Sequence, residues 1–363
     1  MKTIRILHIG EASTTLPNMI TGIKTVLSEQ IKYENKFADI EAKLYGISSK
    51  IQDNNEFCIN KISFEKDIKS YNPTFVVFHG FYIFKHVTLA KILKKNKIPY
   101  YIKPHGGFNK KAQIKSCFKK KVARFLFFDN YVKQSNGIFF LNEYERENSI
   151  YHTAREFILP NGIEKIKLTL DYRNISNQEM IFIYFGRIEI KAKGIDELLQ
   201  CILKNKDYFC KNKIKFKFYG NGKSRDMQYL DNIIQKMPEL VEYCGVVYDK
   251  YLKYKILKES DVSILLSHYE GMPMSLIESL SVGTPCFITK ETGIADCIQN
   301  YYCGWICNNR GLLFSNLEKC VSQYQKTKLK FKENALKASE DFDWENIMKK
   351  YYDVYKELKG NIR

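Results

Sequence analysis

Short apolar runs alternate with segments of helical periodicity along the whole chain of 363 residues. In the first half, apolar and β-branched runs predict strands at Ile4–Ile9, Phe75–His79, Tyr100–Lys103, Gly137–Leu141 and Phe157–Leu159. In the second half, they predict strands at Ile181–Phe185, Lys215–Tyr219, Val241–Cys244, Val262–Leu266 and Cys286–Thr289. Buried strands separated by helices are typical of parallel sheets with helices on both faces, so the pattern predicts an α/β fold.

Between the runs, the period of the apolar residues predicts helices at Gly22–Ile31, Ile114–Val132, Ile195–Leu203, Arg225–Ile234, Leu252–Lys258 and Ser275–Leu280. The polar segment 168–179 has no apolar period and predicts a linker. We therefore expect two α/β domains, 1–167 and 180–341, followed by a C-terminal helix within 342–363 that packs back on the first domain. In open α/β sheets ligands bind at the carboxyl ends of strands, so the expected site is a cleft between the two sheets.

Charge changes this picture in one region. The net charge is +18, and the stretch from Ile68 to Phe128 contains no Asp or Glu at all. Within it, the lysines and Arg124 of Lys110–Arg124 share a predicted helix with Ile114, Phe118, Val122 and Phe125. Such a surface attracts lipid headgroups, phosphates or nucleic acid, and we expect an anionic membrane surface as its partner. The alternative is a solvated face in a lysine-rich protein.

Location is predicted from what the chain lacks. No apolar run is long enough for a transmembrane helix, and the first residues do not resemble a signal peptide. The ten cysteines show no zinc-finger spacing and are expected to be free thiols. These features predict a cytoplasmic protein, with peripheral contact to the inner face of the cytoplasmic membrane.

The sequence Glu270-Gly-Met-Pro-Met-Ser-Leu-Ile-Glu278 follows a predicted strand and leads into a helix. Gly271 and Pro273 shape a tight turn, and Ser275 suits an N-cap. The start of a helix favours a diphosphate, while a carboxylate one turn into the helix can accept both hydroxyls of a ribose. A carboxylate before the turn can accept hydroxyls of a hexose. Alternatively, the segment is a capped helix with two surface glutamates.

Two further loops follow predicted strands in the second half. Phe185-Gly186-Arg187 leads to Lys193-Gly194, and two cations at this place suit a leaving diphosphate. Lys191 is an alternative to Lys193, and solvated basic residues are the plainer interpretation. Gly220-Asn-Gly222 is a glycine-rich turn, which by itself is weak support for a ligand site.

In the first half, two segments have glycines where a backbone could approach a ligand. Gly22 opens a predicted helix soon after the first strand, a place suited to a phosphate. Lys103-Pro104-His105-Gly106-Gly107 places a histidine at a strand end. A single histidine is usually structural, but this one is expected at the cleft, which favours a functional role.

Together these segments resemble glycosyltransferase family 4, whose fold is called GT-B. The resemblance covers nearly the whole chain, in the family's order, and its other parts are Leu159-Pro-Asn-Gly162, Cys244-Gly245-Val246, Gly283-Thr-Pro285 and Phe342-Asp-Trp344. One departure is that Thr21 precedes Gly22 where the family often has a second glycine. The resemblance implies two Rossmann-like domains facing across a cleft, the first binding the acceptor and the second the nucleotide sugar.

The resemblance also implies a role for each residue. Arg187 and Lys193 would bind the donor diphosphate, and Glu278 the ribose. The transferred sugar would be held by Glu270 and by the backbone amides of the turn from Gly271 to Leu276. The residues of this turn are Gly271, Met272, Pro273, Met274, Ser275 and Leu276. His105 would contact that sugar or the acceptor. Gly220, Gly222, Gly245 and Val246 would line the base pocket.

The implied activity is a retaining transfer of a hexose-type sugar from a nucleotide-sugar donor to a saccharide or lipid-linked acceptor. The implied catalytic residues are Glu270, His105, Arg187 and Lys193. Neither a cofactor nor a metal is expected, because the nucleotide sugar is a substrate and Asp341-Phe-Asp343 fits a helix N-cap better than a metal site. A lipid-linked saccharide of bacterial surface polysaccharide biosynthesis is the preferred acceptor.

Other function classes stay open. A sugar phosphorylase of the same fold would use inorganic phosphate, whereas a glutamate placed to bind ribose favours a nucleotide donor. A nucleotide-sugar epimerase is a further alternative. A basic nucleic-acid-binding protein would use the cationic stretch, but the sequence has no recognised DNA- or RNA-binding motif, so no nucleic-acid partner is expected.

Overall fold

A computed structural model of the protein describes residues 3–10, 22–47, 56–58, 61–114, 116–165 and 179–361. The chain divides into two units: Met1–Glu164 with Asp343–Arg363, and Lys165–Phe342. Of the expected linker 168–179, only Glu179 is among the described residues. None of the described helices is both long and apolar enough to cross a membrane.

The first unit is built on a seven-stranded parallel sheet. Its strands are β1 (Ile4–Gly10), β2 (Ile40–Gly46), β3 (Glu56–Cys58), β4 (Phe75–His79), β5 (Tyr100–Lys103), β6 (Gly137–Phe140) and β7 (Glu156–Ile158). They lie in the order β3-β2-β1-β4-β5-β6-β7. The order reverses between β1 and β4, which makes the carboxyl ends of these two strands the switch point of the sheet.

The helices of the first unit are α1 (Gly22–Glu34), α2 (Lys61–Tyr71), α3 (Phe84–Lys95), α4 (Cys117–Ala123), α5 (Asp129–Lys133) and α6 (Glu143–Glu147). The single helix predicted at Ile114–Val132 is wrong in detail. A 3₁₀ turn at Lys111–Gln113 comes first, Ser116 has a left-handed φ of 59°, and a π-helical segment, Arg124–Phe128, joins α4 to α5. Left-handed backbone cannot continue a helix, so α4 starts only at Cys117.

The second unit contains a six-stranded parallel sheet. Its strands are β8 (Met180–Phe185), β9 (Ile214–Tyr219), β10 (Val241–Tyr243), β11 (Val262–Leu265), β12 (Cys286–Thr289) and β13 (Gly304–Cys307), in the order β10-β9-β8-β11-β12-β13. Its helices are α7 (Ile195–Lys204), α8 (Lys206–Lys211), α9 (Ser224–Ile234), α10 (Lys250–Glu259), α11 (Met274–Ser281), α12 (Ala295–Tyr301) and α13 (Leu313–Ser339), the last kinked at Thr327. The switch point lies between β8 and β11.

The last helix, α14 (Trp344–Gly360), belongs to the first unit. Asp343 is its N-cap and accepts a hydrogen bond from the N–H of Glu345, as predicted for this segment. Trp344 is fully buried, and its indole would collide with any side chain placed at Gly162. Burial of Trp344 against the Gly162 backbone explains why a glycine follows Asn161 in this turn.

The predicted strands are all present, with ends that differ by no more than one residue. Three strands were not predicted: β2, β3 and β13. β3 and β13 are only three and four residues long, and β2 mixes charged residues into its apolar run. The nine cysteines whose side chains the structure describes are free thiols, as predicted, and the side chain of Cys58 is not among them.

Candidate functional site

The loops that follow β8 and β11 carry three of the residues singled out for donor binding in the second unit. Arg187 and Lys193 follow β8, and Glu270 follows β11. These two strands are neighbours in the sheet, so both loops start at the switch point where open α/β sheets bind ligands.

Lys193 and Glu270 form an ion pair through Nζ and Oε1. Both side chains are largely buried, 14% and 15% exposed, and Ser267 Oγ donates a second hydrogen bond of 2.7 Å to the same carboxylate oxygen. Lys191, the alternative cation, is 87% exposed and pairs with Asp196. The structure therefore brings Lys193, and not Lys191, to the carboxylate.

Arg310 stabilises the backbone of the loop after β11. This side chain donates hydrogen bonds of 3.0 Å to the carbonyls of Leu266 and Ser267 and forms an ion pair with Glu197. The N–H of Glu270 donates to the carbonyl of Glu291 over 3.0 Å. With its backbone held at both ends, the loop keeps the Glu270 carboxylate at the strand end without help from a ligand.

Glu278 lies inside α11 and is also paired with a lysine. Lys253, on α10, forms an ion pair with Oε2 of Glu278, and its Nζ also lies 5.1 Å from the centre of the Phe185 ring. The ammonium lies against Oε2 without the alignment of a hydrogen bond, so this buried oxygen has an ion-pair partner but no hydrogen-bond donor among the described residues. A hydroxyl from a ligand could complete its hydrogen bonding.

The turn before α11 differs from prediction at its cap. Pro273 and not Ser275 is the N-cap residue, and the helix begins at Met274. Proline has no side-chain acceptor, so the first N–H groups of the helix are not capped by a side chain. Gly271, Met272, Pro273 and Leu276 are buried, while Met274 and Ser275 are partly exposed.

Of the two proposed diphosphate ligands, Arg187 has a much more exposed side chain than Lys193. Its side chain is 77% exposed, and its guanidinium lies 3.7 Å from Glu189. Its own carbonyl accepts a hydrogen bond of 2.6 Å from the Tyr184 hydroxyl. The backbone is therefore anchored while the charged group stays available to a ligand.

The glycine turn after β9 packs directly on the loop after β8. A Cβ at Gly220, where φ is +139°, would lie 1.8 Å from the carbonyl oxygen of Gly186. The N–H of Gly220 donates to the carbonyl of Gly245 over 2.8 Å, and a Cβ at Gly222 would lie 2.2 Å from the carbonyl of Ile188. Both glycines are thus required by close backbone contact. Val246, next in this segment, is 39% exposed.

In the first unit, His105 follows β5 with a left-handed φ of +50°. A non-glycine residue in this conformation is held there by its surroundings. The buried carboxylate of Glu145 accepts hydrogen bonds from the N–H groups of Gly106 and Leu141, which fixes the loop beyond His105. Burial raises the pKa of Glu145 to about 7 in spite of these two bonds.

His105 is not an isolated histidine. Its Nε2 lies 3.0 Å from Nδ1 of His79, and Nε2 of His79 lies 2.9 Å from Nδ1 of His8. Nε2 of His8 lies 2.8 Å from Oε2 of Glu34. We call Glu34, His8, His79 and His105 the histidine row. It arises because β1, β4 and β5 are adjacent in the sheet and α1 ends at Glu34.

Sequence reasoning missed His8, His79, Glu34 and Lys253. A signal for the two histidines was present, since each is a polar residue in an otherwise apolar strand of IRILHIG or FVVFH. No sequence signal marks Lys253 among the lysines of α10. Gly22 is the first residue of α1, and Thr21 before it lies outside the described residues.

Comparisons with known proteins show which proteins this chain resembles. Residues 170–338 match the family model described as "Glycosyl transferases group 1". A glycogen synthase from Thermodesulfovibrio yellowstonii is 28% identical over 215 residues, 57% of this chain and 42% of that protein. An N,N'-diacetylbacillosaminyl-diphospho-undecaprenol alpha-1,3-N-acetylgalactosaminyltransferase from Campylobacter jejuni is 23% identical over 93% of this chain and 92% of its own length.

Among solved structures, sucrose-phosphate synthase from Thermosynechococcus elongatus superposes with a TM-score of 0.70 at 13% identity. The match covers 99% of this chain and all of that one. The predicted fold, α/β of the GT-B type with two Rossmann-like domains, is thereby confirmed. The chain spans less than half of the glycogen synthase it matches, and the matches as a whole support a glycosyltransferase.

Proposed function

We propose that this protein is a retaining glycosyltransferase that moves a hexose-type sugar from a nucleotide sugar to a saccharide or lipid-linked acceptor in bacterial surface polysaccharide biosynthesis. The observation that carries the proposal is the ion pair between Lys193 and Glu270. This ion pair joins the two loops at the switch point of the second unit's sheet. It places a cation suited to the diphosphate of a nucleotide sugar next to a carboxylate suited to its sugar hydroxyls.

In this proposal Lys193 and Arg187 hold the diphosphate. A diphosphate entering the loop offers Lys193 a more highly charged partner than Glu270, so the ion pair opens as the donor binds. The freed Glu270 carboxylate then accepts hydroxyls of the transferred sugar, together with the N–H groups at the start of α11. Glu278 accepts the ribose hydroxyls at Oε2, beside the ammonium of Lys253.

Catalysis follows from charge development. As the bond between the sugar and the diphosphate breaks, negative charge grows on the phosphate oxygens and is stabilised by Lys193 and Arg187. Positive charge grows on the sugar ring near Glu270. We propose front-face displacement, in which the leaving phosphate helps to take the acceptor proton and the new bond forms on the same face. His105 contacts the sugar or the acceptor. No metal or cofactor takes part in this scheme.

A lipid-linked acceptor would require contact with a membrane. In α4 and the π-helical segment, Phe118, Phe125 and Leu126 are 77%, 81% and 57% exposed, and the neighbouring Lys119 and Lys121 are exposed. A surface cavity of about 360 Å³ opens beside them among Lys120, Lys121 and Arg124. We propose that this segment, within 110–124 and the residues directly after it, docks on anionic lipid. The acceptor named for the Campylobacter relative is itself an undecaprenol-linked sugar.

Vesicle sedimentation tests the docking. Binding to phosphatidylglycerol vesicles should weaken with salt and should fall several-fold in Phe118→Ser/Phe125→Ser. Leu329→Ser is a matched control, because Leu329 is 68% exposed on a helix of the second unit. Equal binding to neutral phosphatidylcholine vesicles would contradict the proposal.

The transfer itself is tested by a thermal-shift screen of nucleoside diphosphates and their sugars. A ligand that binds only the folded protein raises its apparent stability, so the correct donor should stand out and its shift should shrink in Glu278→Gln. Incubation of that donor with lipid-linked saccharides, followed by NMR of the anomeric proton, then reports retention or inversion. A shift by inorganic phosphate and none by nucleotides would favour a phosphorylase. Interconversion of free nucleotide sugars would favour an epimerase.

A further inference from the structure

The histidine row is buried almost completely, and a polar row of this kind is costly unless each hydrogen bond is made. His8 and Glu34 are inaccessible to solvent and His79 is 2% exposed. The other carboxylate oxygen of Glu34 accepts hydrogen bonds from Gln30 Nε2 over 2.8 Å and from the Tyr355 hydroxyl over 2.6 Å. The row therefore begins at a fully bonded carboxylate and ends at the partly exposed ring of His105.

A neutral imidazole has one nitrogen that donates and one that accepts, so hydrogen-bonded imidazoles must all point in the same direction. An ionised Glu34 only accepts, and so it requires a proton on Nε2 of His8. In a row of neutral rings, Nδ1 of His8 then accepts from Nε2 of His79, and Nδ1 of His79 accepts from Nε2 of His105, whereas a doubly protonated His8 would reverse both bonds. The order in neutral rings leaves Nδ1 of His105 without a proton.

We propose that the three rings of the row are neutral and that Glu34, acting through His8 and His79, fixes His105 as the tautomer that carries its proton on Nε2 and presents Nδ1 as a hydrogen-bond acceptor. No described residue makes a hydrogen bond to Nδ1 of His105. The natural partner of this nitrogen is a sugar hydroxyl, which donates one hydrogen bond. This use of Nδ1 rests on the proposed function, whereas the tautomer itself does not.

The pKa shifts of His79 and His105 agree with neutral rings at these two positions. Burial, followed by the nearby Lys103, holds the pKa of His105 well below its ordinary value. Burial and the neighbouring rings do the same for His79. The pKa of Glu34 is lowered even though burial alone would raise it, because His8, Gln30 and Tyr355 all stabilise the carboxylate. Glu34, His8 and His79 are thus positioning residues.

NMR of ring-¹⁵N-labelled histidine tests the proposal directly. The protein has six histidines, and the His105 signals are assigned by their loss in His105→Gln. In the native protein we expect the His105 proton on Nε2 and a bare Nδ1. A proton on Nδ1 would overturn the proposal.

Glu34→Gln gives the sharpest test because it is isosteric. Gln30 and Tyr355 both donate to one oxygen of residue 34, so the new amide oxygen should stay there and its NH₂ should face His8. The NH₂ group donates, which reverses every bond in the row and moves the His105 proton to Nδ1. An unchanged His105 tautomer in this variant would refute control by Glu34.

Two further variants guard against a general loss of structure. His86 is a buried histidine of the same unit that makes no hydrogen bond to any described residue, so His86→Phe should leave the His105 tautomer unchanged. His8→Phe cuts the row, and the His105 signals should then show a mixture of tautomers. A single Nε2–H tautomer in His8→Phe would count against the proposal even if Glu34→Gln failed to fold.

The activity measurement separates this inference from the proposed function. Glu34→Gln should lower kcat roughly tenfold, the effect of one hydrogen bond to the reacting sugar, with little change in donor KM. His86→Phe should retain both constants. If the tautomer changes as expected and no sugar transfer is found with any donor, the histidine row stands and the transferase proposal fails.

Discussion

The two units place their polar groups at sheet switch points in opposite ways. In the first unit, three histidine rings are joined in a buried row that ends in a single carboxylate. In the second unit, the two candidate glutamates each face a lysine, and all four side chains are only 13% to 23% exposed. A hydrogen-bonded row of rings defines which atoms donate and which accept, while an ion pair at the end of a strand can exchange one partner for a charged ligand. We infer that the switch point of the first unit orients hydrogen-bonding groups and that the switch point of the second unit binds a charged ligand.

The largest expected effect tests whether Lys103, a buried lysine of the first unit, is uncharged in the folded protein. Lys103, beside the histidine row, is fully buried, and burial lowers its pKa from 10.5 to about 7 although Glu34 and Glu145 oppose this. Between pH 7 and 10.5 the unfolded chain binds the Lys103 proton and the folded chain does not. The native protein should therefore gain stability relative to Lys103→Met as pH rises through this window. A shift of about 3.5 units corresponds to roughly 5 kcal/mol.

Urea unfolding of both proteins at pH 6, 8 and 10 measures this difference. Tyr351 keeps its hydrogen bonds to the carbonyls of Leu159 and Pro160 when the lysine is removed, which limits side effects. A difference in the free energy of unfolding that does not change with pH would mean that Lys103 is charged in the folded protein throughout.

The next effect concerns the charged loop of the second unit. Lys193→Ala should lower turnover about a hundredfold, because a buried charge contact to a leaving group is worth ~3 kcal/mol. Arg187→Ala should act in the same direction. Lys191→Ala is the matched control, since its side chain points into solvent two residues away. Greater damage from Lys191→Ala in steady-state kinetics would show that the roles of the two lysines are exchanged.

A smaller effect should separate the two glutamates. Glu278→Gln should mainly raise donor KM and weaken nucleoside diphosphate binding, each roughly tenfold, because ribose contacts are the same in the ground and transition states. Glu270→Gln should mainly lower kcat, because charge develops on the sugar only in the transition state. Calorimetric titration with the nucleoside diphosphate, paired with kinetics, decides between the roles. Equal weakening of nucleotide binding by both changes would contradict this division.

The smallest effect tests the ion pair that the sequence did not reveal. Lys253 holds the Glu278 carboxylate, so Lys253→Met and Glu278→Gln should be non-additive by about 1 kcal/mol in nucleoside diphosphate affinity. Titrations of the two single variants and the double variant complete the cycle. Lys255→Met, which removes a lysine paired with Glu259 on the same helix, should combine additively with Glu278→Gln. Additivity for Lys253 would mean that its contact has no role in binding.

The fold was largely predictable because most of its strands are short runs rich in apolar and β-branched residues. Runs such as MIFIYF and CFIT leave no alternative to a buried strand, and each was located to within one residue. Prediction failed where local backbone geometry decided the outcome. Ser116 and Pro273 define where α4 and α11 start, and neither a left-handed residue nor a proline cap follows from hydrophobic periodicity.

The sequence by itself determined which segments form strands, and hence which loops emerge at the carboxyl ends of the two sheets. It did not determine which side chains meet there, because strand order joins residues that are far apart in sequence. His8, His79 and His105 become neighbours only because β4 lies between β1 and β5. The family resemblance favoured Lys193 over Lys191, and the tertiary structure adds its burial beside Glu270. Periodicity reports the burial of single residues, whereas hydrogen bonds and ion pairs depend on pairs, and only the tertiary structure decides those.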